Sequence, residues 1–471
     1  MLPLYICMIL EALVTDYHSR LAAHNDYITE ATGNRPTFFI RTYGCQMNNR
    51  DSEKLAGLLI ELGYKQVNSQ EAADLVLYNT CCVRESAENK IFGHLSRLKN
   101  IKQTHRKDMI IAVGGCMSQQ AEIAENIRSK HSYINIVFGT ANRHRLPQFI
   151  WSAMETGRQV IDIEEDTDLP ELDSGHVTTR DFPHKAGVNI MYGCDNFCSF
   201  CIVPYVRGRE RSRATNDILQ EVEALATDGV KEIMLLGQNV NSYGKGMEAD
   251  FPTLLRQANQ VQGLERIRFM TSHPKDFSNE LIAAMRDLDK VCKSVHLPLQ
   301  SGSIRILADM NRYYTQAEYL DLTRRLQEAI PGIAITTDII VGYPGETDED
   351  FEATLDVVRQ VRFASAFTFI YSKRSGTPAA KRTDTIPRKI SAERFERLTA
   401  TLYPIMEEIN KNKIGKTLPV MTEEINGTTC KGRTDDNTLV HFASETMTLK
   451  PGQIISVQIT SAKTFYVNGR I

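Results

Sequence analysis

No run in the 471-residue chain approaches the ~18 consecutive apolar residues of a membrane-spanning helix, so no helical span and no membrane partner are expected. Charge of one sign is also lacking: Lys and Arg number 55 against 58 Asp and Glu, for a formal net charge of −3. That balance excludes a histone-like coat for nucleic acid, and any RNA site has to be a local patch. The apolar start, Met1 to Leu10, has no positively charged lead-in and no small-residue cleavage site behind it, so a secretory leader is not expected. The phosphate loop of an ATP site is missing too, because Gly415-Lys416-Thr417 has Asn410 where the loop needs its first glycine. Val341-Gly342-Tyr343-Pro344-Gly345-Glu346 lacks the glycine order of a dinucleotide site, and no Ser-His-Asp set stands out.

What the chain does have is cysteine, ten in all: Cys7, Cys45, Cys81, Cys82, Cys116, Cys194, Cys198, Cys201, Cys292 and Cys430. A disulfide scaffold is short, cysteine-dense and secreted, and this chain is none of these. A reducing cytoplasm is the expected compartment, where cysteines are available as thiolates for metal. Asn426-Gly427-Thr428, formally a glycosylation acceptor, reads there as a tight hairpin turn.

The length suits two or three folding units. Residues 1–35 show no sustained apolar period and read as an N-terminal extension. Over 36–155, short β-rich runs (Thr37 to Tyr43, Asp74 to Asn79, Met109 to Val113, Ile134 to Phe138) alternate with helical ones. The spacing of Leu55, Leu58, Leu59 and Leu62 predicts a helix over 51–62 that ends at Gly63. Such alternation implies an α/β fold with a doubly wound parallel sheet. An acidic, turn-rich stretch, Asp162 to Gly175, marks a linker over 156–179. Six more βα units follow over 180–411, with strands expected at 187–192, 232–236, 266–270, 294–299, 334–341 and 366–371, which suits a partial (β/α)6 barrel. From 412 to 471 the runs are short and strand-like between turns, as in a small β-barrel.

Cys194, Cys198 and Cys201 stand as Cys-x3-Cys-x2-Cys directly after the first expected barrel strand. Three close thiolates without a fourth leave one metal position open. Structural zinc closes all four positions and would need an outlying ligand such as His184, whereas an iron-sulfur cube tolerates an open iron. Cys45, Cys81 and Cys116 are far apart in sequence, yet each lies just past the carboxyl end of an expected parallel strand, in TYGC, YNTC and VGGC. Those ends share one sheet edge, where ligands bind, and Gly44, Gly114 and Gly115 would admit a bulky group. Cys82 is a rival to Cys81, while Cys7, Cys292 and Cys430 are assigned to packing. Taken singly, each of Cys45, Cys81 and Cys116 reads as a small buried hydrophobe sooner than as a ligand; taken as three on one sheet edge, they read as a metal set.

The YGCDNFCSFC loop resembles the cluster loop of radical S-adenosylmethionine enzymes. GCQMN (44–48), NTC (79–81) and GGC (114–116) resemble the N-terminal domain of the methylthiotransferase family. HLPLQSGS (296–303), VGYPGET (341–347) and IYSKRSGTPAA (370–380) extend the match, and the terminal β unit resembles a TRAM domain. RFMTSHP (268–274) is similar to the tRNA-modifying branch of that family. The resemblance implies two [4Fe-4S] clusters, one on Cys194, Cys198 and Cys201 and an auxiliary one on Cys45, Cys81 and Cys116, with S-adenosylmethionine as methyl donor and radical source. The expected reaction is 2-methylthiolation of N(6)-isopentenyladenosine beside the anticodon. Threonylcarbamoyl-adenosine in tRNA and an aspartate of a ribosomal protein are alternative targets, and a non-catalytic metal-bearing RNA-binding protein is the alternative of another class.

Candidate cofactor contacts are Phe200 beside the third cysteine, Arg213, and the polar residues at the carboxyl ends of barrel strands: Gln238, Asn239, Ser272, Gln300, Asp338 and Tyr371. Arg207, Arg209, Arg211 and Arg213, four arginines in seven residues, suit phosphates or a cofactor carboxylate. His273 reads equally well as a structural histidine. Expected partners are the tRNA anticodon stem-loop, an electron donor such as a flavodoxin or ferredoxin system, and an iron-sulfur or sulfur carrier protein. The enzyme is expected to be a cytoplasmic monomer.

Overall fold

The computed structural model describes residues 2–82, 85–163, 179–180, 182–444 and 449–471. Most of the acidic stretch expected as a linker, 164–178, lies outside the described residues. The chain forms two compact units, one of Met1–Arg180 with Tyr205–Gly208, the other of Asp181–Pro204 with Arg209–Ile471.

The first unit is built on strands β1 (Thr37–Thr42), β2 (Lys65–Gln66), β3 (Leu75–Thr80), β4 (Ile110–Gly115), β5 (Ile136–Phe138) and β6 (Val160–Asp162). They form one parallel sheet in the order β2-β1-β3-β4-β5-β6. Central β3 is buried along its whole length, with Leu75 and Leu77 in the core on one face and Val76 and Tyr78 in the core on the other. That two-faced burial is why the strand reads as a continuous apolar run. The helix Gln46–Glu61 packs Leu55, Leu58 and Leu59 on this sheet and stops at Gly63, where φ is +87°.

Two expectations change here. Residues 1–35 are no loose extension: Leu2–Thr32 is a helix whose Leu21 is buried in the sheet's core, and Asn25 Nδ2 donates to Leu62 O at 2.7 Å. Its first ten residues are almost wholly apolar, so no polar face alternates with them and a periodicity search finds nothing. The first unit also runs past residue 155, because β6 pairs with β5 inside the stretch expected as linker. Such a strand, only three residues long, is too short to register as a pattern.

The second unit carries β7 (Lys185–Asn189), β8 (Met191–Tyr192), β9 (Arg211–Ser212), β10 (Glu232–Leu236), β11 (Arg266–Phe269), β12 (Ser294–His296), β13 (Ala334–Val341) and β14 (Ser365–Ile370). Parallel ladders β7-β10-β11 and β12-β13-β14 are joined by an Ile267–Val291 bridge, giving the open six-stranded βα barrel. Antiparallel pairing of β8 with β9 ties the base of loop 193–210, which holds all three Cys-x3-Cys-x2-Cys residues. The last strands, β15 (Thr417–Asn426), β16 (Thr429–Arg433), β17 (Leu439–Ala443), β18 (Ile454–Ala462) and β19 (Val467–Arg470), close a small barrel around Val420, Cys430, Val440, Phe442, Val457 and Val467.

This small barrel belongs to the same compact unit as the large one. Arg266 donates to the carbonyls of Arg433 (2.7 Å) and Pro419 (3.1 Å), and Arg268 to those of Thr434 (2.8 Å) and Asp435 (2.9 Å). Buried Glu232 pairs with Arg268 at 3.0 Å and with Lys185 at 3.1 Å, and Lys185 also pairs with Glu423. Burial pushes the Glu232 carboxyl up, but Arg268 and Lys185 outweigh it and hold it below its ordinary value.

Candidate iron-sulfur and cofactor sites

In the first unit, Cys45 caps the start of the helix Gln46–Glu61, and Cys81 and Cys116 follow the ends of β3 and β4. The strand order places these ends on neighbouring strands of one edge. Gly44 has φ +132°, and a side-chain carbon there would sit 2.6 Å from Cys81 Cβ and 3.1 Å from its sulfur, so Cys81 abuts the Cys45 turn. At Gly115, φ +100°, a side chain would run into the Thr80 carbonyl and Asn79. Both glycines are there because backbone crosses at contact distance. Cys82 is buried as well, and its thiol lies against Cys116.

Polar groups knit this edge together. Cys45 Sγ contacts Asn48 Oδ1 at 3.4 Å, and Asn48 Nδ2 donates to Thr80 O at 3.0 Å. Buried Arg207 donates from Nε to Cys116 Sγ at 3.2 Å. The Cys82 thiol first, and then the Arg207 charge, bring the Cys116 thiol down to about 6 against the pull of burial. Burial disfavours the Arg207 cation, but Cys116, Cys45 and Cys81 outweigh it and raise its pKa. Cys116 is therefore biased toward thiolate, the form that binds iron.

In the second unit, Cys194, Cys198 and Cys201 lie in one loop, half-buried to buried, with Cys201 N donating to Cys198 O at 2.9 Å. Phe197 between them has φ +45°. The loop is pinned from a distant segment: Asn311 Nδ2 donates to the carbonyls of Asn196 (3.2 Å) and Phe197 (3.0 Å), and Ser199 N donates to Met310 O at 3.1 Å. Arg312, buried, donates to Cys198 Sγ at 3.4 Å and to Pro298 O at 3.1 Å. Burial, and then the neighbouring Cys198, push the Cys194 thiol up to about 11 and the Cys201 thiol up to about 12.

Among the described residues no three Cys, His, Asp or Glu side chains close on a single metal ion. His184 sits under Gly452 of the small barrel and adjoins Lys185, Glu232 and Glu423, so it serves the seam between the barrels. Three thiols in each set fit a [4Fe-4S] cube, which can be held by three cysteines with one iron left open.

Around the carboxyl end of the large barrel, several expected contacts come together. Phe200 and Tyr371 flank one apolar cluster with Ile306, Met310 and Tyr343. Gln300, at φ +68°, donates its backbone N–H to Asp338 O at 2.8 Å, and Asp338 Oδ2 lies 3.3 Å from His296 Nε2. Ser272 N reaches His296 O at 3.4 Å. Ser272 Oγ, His273 Nε2, Gln300 Oε1 and Tyr371 OH are buried with no hydrogen-bond partner among the described residues. Orphaned polar atoms at this face are the signature of a polar ligand site. Burial, with Arg312 and Lys275 beside it, drives the His273 imidazole down to about 2, so it is neutral at any physiological pH.

Other expected contacts are committed elsewhere. Asn239 spends its amide on Asp276 (2.7 Å) and its oxygen on His273 N (3.1 Å). Arg213 pairs with Glu221 at 2.7 Å and also donates to Asn189 O at 2.6 Å. Gln238 follows β10 at the same barrel end. The arginine run is not one phosphate patch: Arg207 and Arg213 are buried in ion pairs, and Arg209 pairs with Asp195 at 2.8 Å. Sequence reading missed Asn48, Asn311 and Arg312, because no spacing rule connects residue 312 to residue 198.

Comparison with known proteins agrees with this layout. The radical SAM superfamily profile matches residues 188–358, and that of Uncharacterized protein family UPF0004 matches 37–139. A tRNA-2-methylthio-N(6)-dimethylallyladenosine synthase of Acetivibrio thermocellus is 50% identical over 445 residues, covering 93% of this chain and 92% of its own. The protein of the same name from Clostridioides difficile is 47% identical over 458 residues, covering 96% and 95%. Among solved structures, a radical S-adenosylmethionine methyltransferase of Kitasatospora setae, with cobalamin and a [4Fe-4S] cluster bound, matches with TM-score 0.53 at 14% identity, over 73% of this chain and 74% of that one, which speaks for the fold alone. With half its residues shared along nearly the whole length, the chain belongs to the tRNA-2-methylthio-N(6)-dimethylallyladenosine synthase family of radical S-adenosylmethionine enzymes.

Proposed function

We propose that this enzyme converts N(6)-dimethylallyladenosine (isopentenyladenosine) beside the anticodon of tRNA to its 2-methylthio derivative, with Cys194, Cys198 and Cys201 holding one [4Fe-4S] cluster and Cys45, Cys81 and Cys116 a second. The observation that carries the reading is that there are two separate three-cysteine sets, each with a buried arginine donating to one sulfur. When bound, the two clusters and two molecules of S-adenosylmethionine supply an electron, a radical, a methyl group and sulfur, which an unactivated aromatic C–H requires because acid-base chemistry alone cannot open it.

The protein's share is placement and exclusion of water. The Asn311 and Ser199 contacts fix the cysteine loop against the barrel end, so the reacting groups meet in a defined geometry. Ser272, Gln300 and Tyr371 offer buried polar atoms to the cofactor, and Phe200 gives it an apolar edge. Neutral His273, whose Nδ1 accepts from Lys275 N at 3.3 Å, offers Nε2–H as a donor there without adding charge. The remaining candidates, Arg213, Gln238, Asn239 and Asp338, shape the same strand ends, with Arg213 and Asn239 bracing neighbours. A flavodoxin or ferredoxin system supplies the electrons, a carrier protein restores iron and sulfur, and the enzyme works as a cytoplasmic monomer. No helix among the described residues is long and apolar enough to cross a membrane.

The test is reaction of anaerobically reconstituted protein with tRNA bearing the isopentenyl group, followed by nucleoside mass spectrometry. The expected result is the 2-methylthio nucleoside with one S-adenosylhomocysteine and one 5′-deoxyadenosine per product. A zinc-loaded protein without S-adenosylmethionine cleavage, or methylthiolation confined to a different adenosine, would overturn it.

A further inference from the structure

One buried cation of the first unit touches more of the sheet-edge site than the single sulfur to which it donates. Arg207 ends the short helix Val203–Arg207, and its side chain is 5% exposed. Its Nε donates to Cys116 Sγ at 3.2 Å, and its Nη2 donates to Asn48 Oδ1 at 3.3 Å and Asp51 Oδ2 at 3.0 Å. Asn48 Oδ1 also receives Cys45 Sγ at 3.4 Å, so one guanidinium reaches two of the three cysteines, directly and through an amide. Thr140 Oγ1 donates to Val206 O at 2.5 Å and holds the backbone that presents it.

Charge counting shows what this geometry does. A buried guanidinium is costly unless paired, and Asp51 is the carboxylate that pairs Arg207. Asp51, 2% exposed, is also paired by Arg143. Asp51 is thus shared between two guanidinium groups and offsets the Arg207 charge only in part. That charge faces the sulfurs, because the planar fork has its Nε turned to Cys116 while Nη2 is fixed by Asp51 and Asn48. Hydrogen bonds and positive charge at ligand sulfurs are the levers by which a protein sets the potential of an iron-sulfur centre.

We infer that Arg207 is a positioning residue of the sulfur-donating site: it aligns Cys116 directly and Cys45 through Asn48, and its charge raises the reduction potential of the cluster those cysteines hold. This rests on the assignment of Cys45, Cys81 and Cys116 as its ligands. The test uses full-length protein in which Cys194, Cys198 and Cys201 are all changed to Ala, so that one cluster remains. Iron and sulfide are counted, and the midpoint potential is read by electron paramagnetic resonance during a redox titration.

In that background Arg207→Gln is expected to shift the midpoint to a more negative value and alter the spectrum, while Arg207→Lys, which keeps the charge, stays nearer the parent. Iron loss in Arg207→Gln, with iron kept in Arg207→Lys and an unchanged melting temperature of the iron-free chains, also supports the inference. An unchanged potential and spectrum in Arg207→Gln overturns it. So does iron loss in both variants with lowered iron-free stability, since the arginine is then only a folding element. Failure of the parent background to hold iron sinks the ligand assignment itself, which separates the two ideas.

Discussion

The two cysteine sets reach the same number of thiols by opposite routes. Cys194, Cys198 and Cys201 come from one short loop tied at its base by β8 and β9. Cys45, Cys81 and Cys116 come from a helix cap and the ends of two parallel strands, and they meet only because the sheet order puts β1, β3 and β4 side by side. Their electrostatics differ as well. Burial raises Cys194 and Cys201 to about 11 and about 12, whereas Cys82 and Arg207 bring Cys116 down to about 6. Cys194 and Cys201 must lose protons to bind iron, while Cys116 at the sheet edge is already biased toward thiolate.

The sharpest way to break this comparison is to remove one ligand from each set. Cys198→Ala is expected to bring 5′-deoxyadenosine formation down to the enzyme-free background, read by chromatography, because the loop has no spare cysteine. Cys81→Ala is expected to retain some S-adenosylmethionine cleavage and lose all methylthio product, while Cys82→Ala keeps product. Product from Cys81→Ala and none from Cys82→Ala would move the third ligand to Cys82.

A smaller effect is expected from Gly44→Ala. The added carbon would lie 2.6 Å from Cys81 Cβ in a backbone with φ +132°, and such strain costs about 1–3 kcal/mol. Iron analysis is expected to show loss from the sheet-edge site with the loop site still filled. Equal loss from both sites would mean that the two are not independent.

The smallest effect on iron content and product, with the cost falling on stability instead, is expected at the seam of the second unit. Glu232→Gln is expected to lower stability by up to about 3–5 kcal/mol, read by calorimetry, because it leaves Arg268 and Lys185 without their shared carboxylate. Glu232 titrates below its ordinary value when folded, so its contribution is full above the unfolded carboxyl pKa and fades as pH falls through the folded one. The wild type is therefore expected to lose stability faster than the variant on acidification, and parallel losses would refute the role of this pair.

Much of the site was legible along the chain because its signals are local. Cys-x3-Cys-x2-Cys needs no fold to be recognised. TYGC, YNTC and VGGC needed only the inference that their strands are parallel neighbours, which alternating βα units supply. The helix Leu2–Thr32 and strand β6 were not legible, the first because it starts in an unbroken apolar stretch and the second because it spans three residues. The arginine run misled for another reason: four like charges in seven positions look like a surface, yet the fold buries two of them against Asp51 and Glu221.

The sequence by itself determined the βα rhythm, the candidate ligands and the family, since periodicity and spacing are properties of the chain. Only the tertiary structure decided which arginine meets which sulfur, which polar atoms at the barrel end are left without partners, and how the small barrel seats on the large one. Those facts depend on contacts between residues remote in sequence, such as Lys185 with Glu423, 238 positions apart. Burial and distance set both the charge of a thiol and the cost of an unpaired cation, and neither quantity exists until the chain has folded.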